Sequence, residues 1–226
     1  FDKIVGLNGH AVIQGYGNRL PEWREIIEQA KATPGVTQAV PLIEQPLMAS
    51  YEGRVEGVLA RGMRREDILA NPTLQGKVIQ GSLEALRPGS DNVAIGIRLA
   101  EALGAQVGGQ ISLISPQGRT TPFGTVPRIV SYNVAAIFEV GVYDYDKAFV
   151  VMPIEDAQTF LMLGDAVQMV EIETEDADRV GEILAPLAGQ VAGKGVVADW
   201  RMMNSAIFEA LAVERVAMFV VLGLIG

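Results

Sequence analysis

The chain has 226 residues, of which 49% are hydrophobic, and 27 acidic against 18 basic residues give it a formal net charge of −9. This composition is typical of a folded α/β or α+β protein and excludes a disordered chain. The acidic balance without a basic stripe argues against nucleic-acid binding. The absence of cysteine excludes disulfides, thiolate catalysis and cysteine-based zinc sites.

Two segments near the ends of the chain share one pattern of strand, helix and strand. Apolar residues recur at helical spacing between two runs rich in β-branched residues. Two such units more than a hundred residues apart predict one layered sheet-and-helix domain assembled from both chain ends. The predicted ranges are His10–Gln14, Pro21 to Thr33 and Val36–Val40, then Gln168–Thr174, Ala177–Leu187 and Gly195–Asp199.

The region between these units is predicted to be an inserted second domain, about residues 63–163. A hairpin around Glu52-Gly53 precedes it. Arg61, Arg64 and Arg65 form a basic cluster that acidic residues follow at once, which predicts a solvated helix start. The further predicted elements are the hairpin arms Pro46–Tyr51 and Arg54–Arg61, a helix near Arg64–Leu69, a strand Lys77–Gly81, a helix Ile97–Leu103 closed by Gly104, a strand Ala148–Met152, and a helix from Pro153 through Met162.

Residues 102–138 contain no Asp or Glu. Gln110–Ser115 and Arg128–Phe138 have strand-like patterns, whereas three prolines and two glycines between them exclude a helix or a central strand. We therefore predict two strand arms joined by a loop of about a dozen residues. Its tip would expose Phe123, Val126 and Pro127. Such a loop is either a docking element or a segment packed on its own domain, and the sequence leaves both open.

The chain ends in an uncharged apolar run, Val216 to Gly226. Eleven residues are too few to span a bilayer as a helix, which needs roughly 20. Because the run has no cap or polar tail, we predict that a transmembrane helix begins near Val216. The alternative is a buried C-terminal helix.

No set of residues forms a catalytic or metal-binding pattern. His10 is the single histidine and lacks a metal-ligating neighbour at useful spacing, so we expect a structural role. Asp144 and Asp146 lack the glycine and distal glutamate of a calcium loop, which favours a solvated turn. The turn at Gly15 to Arg19 lacks the third glycine of a dinucleotide fingerprint. We therefore expect a protein that is not an enzyme and has no cofactor.

Four motifs give the chain a family resemblance. The run from Ile95 to Ile111 (IGIRLAEALGAQVGGQI) resembles the signature of the periplasmic core domains of MacB/FtsX-type ABC permeases. The segments Ile4 to His10, Thr121 to Pro127 and Asp199-Trp200-Arg201 are similar to the lipoprotein-releasing permeases of the LolC/LolE family. The resemblance covers essentially the whole chain.

The resemblance implies an α+β fold in two subdomains. A porter-like subdomain of two β-α-β units would comprise residues 1–62 and 164–215. A mainly β, sabre-like subdomain would be inserted at 63–163 and carry a protruding hairpin, the hook, at 115–128. Residues 216–226 would start a transmembrane helix.

The family's function implies the partners. Its permeases lie in the bacterial inner membrane, extract acylated lipoproteins and pass them to a soluble periplasmic chaperone (LolA-like). A separate cytoplasmic ATPase (LolD-like) supplies the energy, and a second permease subunit completes the complex as a homo- or heterodimer. The hook role would fall on Arg119, Pro122, Phe123, Gly124, Thr125, Val126, Pro127 and Arg128. The alternatives are the periplasmic domain of a MacB-type efflux permease and a soluble periplasmic binding module.

Overall fold

A computed structural model describes residues 9–199 and Val213. Within these residues the strands are β1 (Ala11–Gly15), β2 (Val36–Tyr51), β3 (Arg54–Met63), β4 (Val78–Gly81), β5 (Asn92–Gly96), β6 (Gln110–Thr121), β7 (Gly124–Phe138), β8 (Phe149–Pro153), β9 (Met169–Thr174) and β10 (Gly195–Asp199). The α-helices are α1 (Trp23–Lys31), α2 (Arg65–Ala70), α3 (Ile97–Leu103), α4 (Tyr143–Ala148), α5 (Ile154–Phe160) and α6 (Val180–Gln190).

The two ends of the described chain build one antiparallel sheet, called here the end sheet, in the order β10-β1-β9-β2. β1 and β2 both run antiparallel to β9, so they are parallel to each other, and α1 crosses between them. β9 and β10 both run antiparallel to β1, so they too are parallel to each other, and α6 forms the connection from β9 to β10. These are two interleaved split β-α-β units. The α+β prediction of one sheet-and-helix layer from both chain ends is confirmed.

Six strands close into a ring, in the order β2-β3-β8-β5-β7-β6 and back to β2. Closure removes exposed sheet edges. Alternate residues such as Val58 and Ala60 on β3 or Val93 and Ile95 on β5 line one core, to which α3 and α5 also contribute. The opposite faces pack against α2 and α4 in a second core. β5 and β8 are therefore buried on both faces, which explains their almost uninterrupted apolar sequence.

β2 joins the end sheet to the ring. Its first half, residues 36–42, pairs with β9, and residues 43–51 pair with β3. The sequence predicted two separate strands, Val36–Val40 and Pro46–Tyr51, but a single strand of 16 residues runs through both. The division after residue 62 stays a prediction; by hydrogen bonding, residues 43–63 belong with the strands of the insert.

The predicted solvated helix start holds for Arg64 and Arg65, which lie at the beginning of α2 and are partly exposed, but it is wrong for Arg61. The alternation of β3 turns its side chain inward, where it is 2% exposed. One guanidinium nitrogen lies 3.0 Å from Glu44 Oε1 and another lies 2.6 Å from Glu171 Oε2. This triad of Arg61, Glu44 and Glu171 joins β2, β3 and β9 where the ring meets the end sheet.

The predicted solvated turn at Asp144 and Asp146 is also wrong. These residues lie in α4, and Asp146 is buried. Its carboxylate accepts hydrogen bonds from the backbone N–H groups of Val140 (2.8 Å) and Gly141 (3.0 Å). Burial raises the pKa of Asp146, against the opposing effect of these two donors. The acidic side chain therefore has an internal structural role.

Candidate functional site: the β6–β7 ribbon

β6 and β7 continue past the ring as a two-stranded ribbon, defined here as residues 115–128. Closer to the ring, residues 112–114 of β6 pair with β2 and residues 133–138 of β7 pair with β5. In the described sheets the ribbon residues pair only with each other. The eight residues from Ser115 to Pro122 span seven steps and reach at most about 23 Å at strand geometry. The ribbon is thus a long arm on the ring.

The predicted irregular loop over residues 115–128 is wrong in its secondary structure. Strand pairing continues to Thr121 and Gly124, and only Pro122 and Phe123 lie in the turn. The prolines are tolerated because no third strand needs their missing N–H groups. The prolines and glycines correctly excluded a central strand, but they do not exclude a two-stranded ribbon without further neighbours.

The turn at the tip is held by its own hydrogen bonds. The Thr121 hydroxyl donates to the carbonyl oxygen of Gly124 (2.7 Å) and accepts from the Phe123 backbone N–H (3.3 Å). Pro122 fixes its own φ, and Gly124 has a φ of 119°, which disfavours other residues. These constraints give the tip a defined backbone, so presenting the Phe123 ring costs little conformational entropy.

Apolar side chains on the ribbon face solvent. Phe123 is 99% exposed, Ile129 just below the ribbon is 61% exposed, and Val126 is 54% exposed. Pro122, Thr125 and Pro127 are exposed as well. Single exposed apolar residues are common, whereas here several lie close together on one ribbon, and Phe123 is held out by a hydrogen-bonded turn. The predicted exposure of Phe123, Val126 and Pro127 is confirmed.

A bulge bends the ribbon at its base. Ser115 pairs with Arg128 and Arg119 pairs with Val126, so three residues of β6 oppose one of β7. At Gly118 an added Cβ would lie 1.7 Å from the carbonyl oxygen of Val126. Only glycine fits there without moving the backbone. Bulges of this kind redirect the strand beyond them.

Replacement of Gly118 by Ala should therefore loosen the ribbon selectively. We expect faster amide exchange over residues 119–126, by about tenfold, because the methyl group displaces the opposite strand. Exchange in the ring should stay unchanged, since the bulge lies outside it. A suitable control is Gly181→Ala, where a Cβ meets no atom within 4 Å. Amide exchange at the wild-type rate in the ribbon of Gly118→Ala would show that the order of the ribbon does not depend on glycine at this bulge.

The structure brings Pro122, Phe123, Gly124, Thr125, Val126 and Pro127 together at the tip, but it places Arg128 elsewhere. Arg128 is half-buried at the ribbon base and points toward α5. Arg119 lies in β6 opposite Val126. Sequence reasoning missed exposed Ile129, although its alternation with buried Tyr132 and half-buried Val130 could have indicated it.

His10 is held by the backbone of the neighbouring strand, which fits the expected structural role. His10 Nδ1 accepts a hydrogen bond from the Thr174 backbone N–H at 3.0 Å and lies 3.0 Å from its hydroxyl. In the part of the chain that the structure describes, no group of three or more His, Cys, Asp or Glu residues is placed to hold a metal ion.

The sequence and the fold match known proteins. Residues 3–189 match the family model described as the MacB-like periplasmic core domain. The chain belongs to this family. Among its curated relatives are the lipoprotein-releasing system transmembrane proteins LolC of Xylella fastidiosa (strain Temecula1) and of Neisseria meningitidis serogroup B. Each is 30% identical over 224 residues, covering 99% of this chain and 54% of the relative. The chain thus spans about half the length of these relatives.

Solved structures show the same fold as this MacB-like domain. The periplasmic region of MacB from Actinobacillus actinomycetemcomitans aligns with a TM-score of 0.53 at 10% identity, covering 91% of this chain and 94% of that one. The extracellular domain of the noncanonic ABC-type transporter YknZ from Gram-positive bacteria aligns with a TM-score of 0.52 at 16% identity, covering 84% and 97%. The resemblance stated from the sequence motifs is therefore confirmed.

Across residues 9–199, no helix combines the length and the apolar character that crossing a bilayer requires. The predicted start of a transmembrane helix at residues 216–226 lies outside the described residues, as do the motif residues 4–8 and 200–201.

Proposed function

We propose that this chain is the periplasmic domain of an ABC transporter permease of the bacterial inner membrane, and that the permease releases lipoproteins from that membrane. Membership of the MacB-like periplasmic core domain family supports the permease assignment. The LolC relatives, matched over 99% of this chain, support lipoprotein release. A separate ATPase subunit would hydrolyse ATP, a second permease subunit would complete the membrane complex, and this chain would carry no catalytic centre.

We further propose that the ribbon docks the soluble periplasmic chaperone that receives the lipoprotein. The observation that carries this proposal is the fully exposed Phe123 on a hydrogen-bonded turn, at the end of an arm that reaches beyond the ring. A chaperone that carries acyl chains must offer an apolar surface. Burying a Phe side chain there contributes about 1.5–3 kcal/mol, and the pinned turn keeps the ordering cost low.

Charge supports the same partner. The chain carries a net charge of −9, but residues 102–138 contain no acid, and Arg119 adds a positive charge to the ribbon beyond its base. The negative charge on most of the domain would repel an acidic rim on the chaperone, whereas the ribbon would attract it. Complementary charge of this type raises the association rate and excludes wrong orientations.

Photo-crosslinking with purified chaperone tests the docking site. A benzophenone amino acid at position 123 should crosslink to the chaperone. The same group at Tyr16, which is 56% exposed on the turn after β1 in the end sheet, should not. Equal crosslinking from both positions, or none from position 123, would contradict docking on the ribbon.

An efflux permease is the second candidate, because the periplasmic region of MacB shares the fold over 91% of this chain. It would require no lipoprotein chaperone. Absence of chaperone binding by an intact, folded chain would favour it.

A further inference from the structure

Arg128, at the base of the ribbon, contacts the body of the protein. Its Nη2 donates to the carbonyl oxygen of Thr159 at 3.5 Å, a long hydrogen bond near the C-terminal end of α5. Its guanidinium carbon lies 5.9 Å from the centroid of the Phe160 ring. The Thr159 carbonyl also accepts from the Met162 backbone N–H at 3.3 Å. A cation is favoured at both places, by the carbonyl oxygens at the C-terminal end of a helix and by the face of an aromatic ring.

The ring beneath Arg128 is itself fixed. Phe160 is buried, and Tyr132 of β7 packs edge-on against it with centroids 6.2 Å apart. Burial raises the pKa of Tyr132, and the nearby charge on Arg128 opposes that rise. Arg128 thus rests on rigid core side chains.

Arg128 lies at the point of the β6–β7 pairing where the regular strands end and the free part of the ribbon begins. The pair Ser115–Arg128 is the last regular pair before the bulge and the exposed tip. Its buried Nε has no hydrogen-bond partner among the described residues, so packing and the contacts at the other guanidinium atoms hold the side chain. A restraint at this point fixes the direction of everything beyond it.

We propose that Arg128 is a positioning residue that sets the angle of the ribbon by anchoring its base to the C-terminal end of α5, and that it is not a contact for the docking partner. This inference deepens the proposed docking function and rests on it only for its binding consequence. The partner then meets a tip held in one orientation. Without the anchor, the tip would have to be ordered at the moment of binding, which weakens affinity.

Distance distributions between two spin labels measure this directly in the absence of any partner. The chain has no cysteine, so Thr125→Cys at the tip and Glu28→Cys on the exposed side of α1 give two unique labelling sites. In the Arg128→Gln variant we expect a distribution at least about twofold broader than wild type. Arg128→Lys should restore part of the order, because its charge can still reach the helix end. Exposed Arg19→Gln should leave the width unchanged.

Binding completes the test with the purified chaperone. We expect Arg128→Gln to weaken affinity about threefold to tenfold, because binding would then have to fix a few backbone torsions that the anchor fixes in the wild type. A wild-type distance width in Arg128→Gln would overturn the positioning role, and weakened binding with that unchanged width would assign Arg128 to the contact surface instead. A broadened distribution in a chain whose wild type binds no chaperone would keep the positioning role and refute the proposed docking function.

Discussion

Replacing Phe123 by Asp is expected to abolish binding of the periplasmic chaperone without changing the melting temperature. The ring is 99% exposed, so its removal costs the fold nothing. In the complex the variant loses the burial of the ring and must also desolvate a carboxylate against an apolar surface. Together these effects amount to about 4 kcal/mol or more, which is a loss of affinity of nearly 1,000-fold.

Calorimetric titration and thermal unfolding of the same samples check this result. Val126→Asp should act in the same direction but less strongly, because Val126 is half-exposed and carries a smaller side chain. Tyr16→Asp is the matched control, since it places the same charge on an exposed aromatic position of the end sheet. Unchanged affinity in a Phe123→Asp/Val126→Asp double variant would show that the ribbon is not the docking element.

Replacing Arg61 by Met is expected to destabilise the fold by about 3–5 kcal/mol, because it leaves Glu44 and Glu171 buried without a counter-charge. In the wild type, burial already raises the pKa of Glu44, and Arg61 opposes that rise. Removing Arg61 should raise the pKa further. When the pKa of a carboxyl is higher in the folded than in the unfolded state, its protonation stabilises the folded state. This contribution is complete below the unfolded pKa and is lost as pH rises through the folded pKa. The defect should therefore be larger at pH 8 than at pH 5.

Urea unfolding at the two pH values measures this effect. The variant in which Arg61→Met is combined with Glu44→Gln and Glu171→Gln removes all three charges, and it should recover much of the lost stability. Arg98→Met is the control, since its ion pair with Glu101 is exposed and contributes little. A loss below about 1 kcal/mol at pH 8 in Arg61→Met would show that the triad does not hold the junction of ring and end sheet.

Local signals predicted several elements closely. The helix Ile97–Leu103 ends where Gly104 takes a left-handed conformation with φ 73°, as the glycine indicated. The strand Gly195–Asp199 was predicted at its observed bounds. Glu52 and Gly53 have φ values of 47° and 82°, which suit the two-residue turn of the predicted hairpin. In each case the residues that determine the structure are neighbours in the sequence.

Contacts between distant residues decided the features that the sequence did not predict. Arg61 is buried because Glu171, 110 positions away, meets it across the junction. α4 packs so closely on the end of β5 that a Cβ at Gly96 would lie 2.1 Å from the carbonyl oxygen of Asp146. The ribbon forms strands because its prolines need no third strand as partner. No local pattern contains these partners.

The transfer step itself gives the most direct test of the proposed function. The full-length permease and its ATPase would be reconstituted with a lipoprotein in proteoliposomes, and lipoprotein released to the soluble chaperone would be measured after addition of ATP. Wild type is expected to release lipoprotein in a chaperone-dependent manner, and Phe123→Asp is expected to retain ATP hydrolysis but lose release. Undiminished release by the Phe123→Asp permease would contradict hand-over at the ribbon.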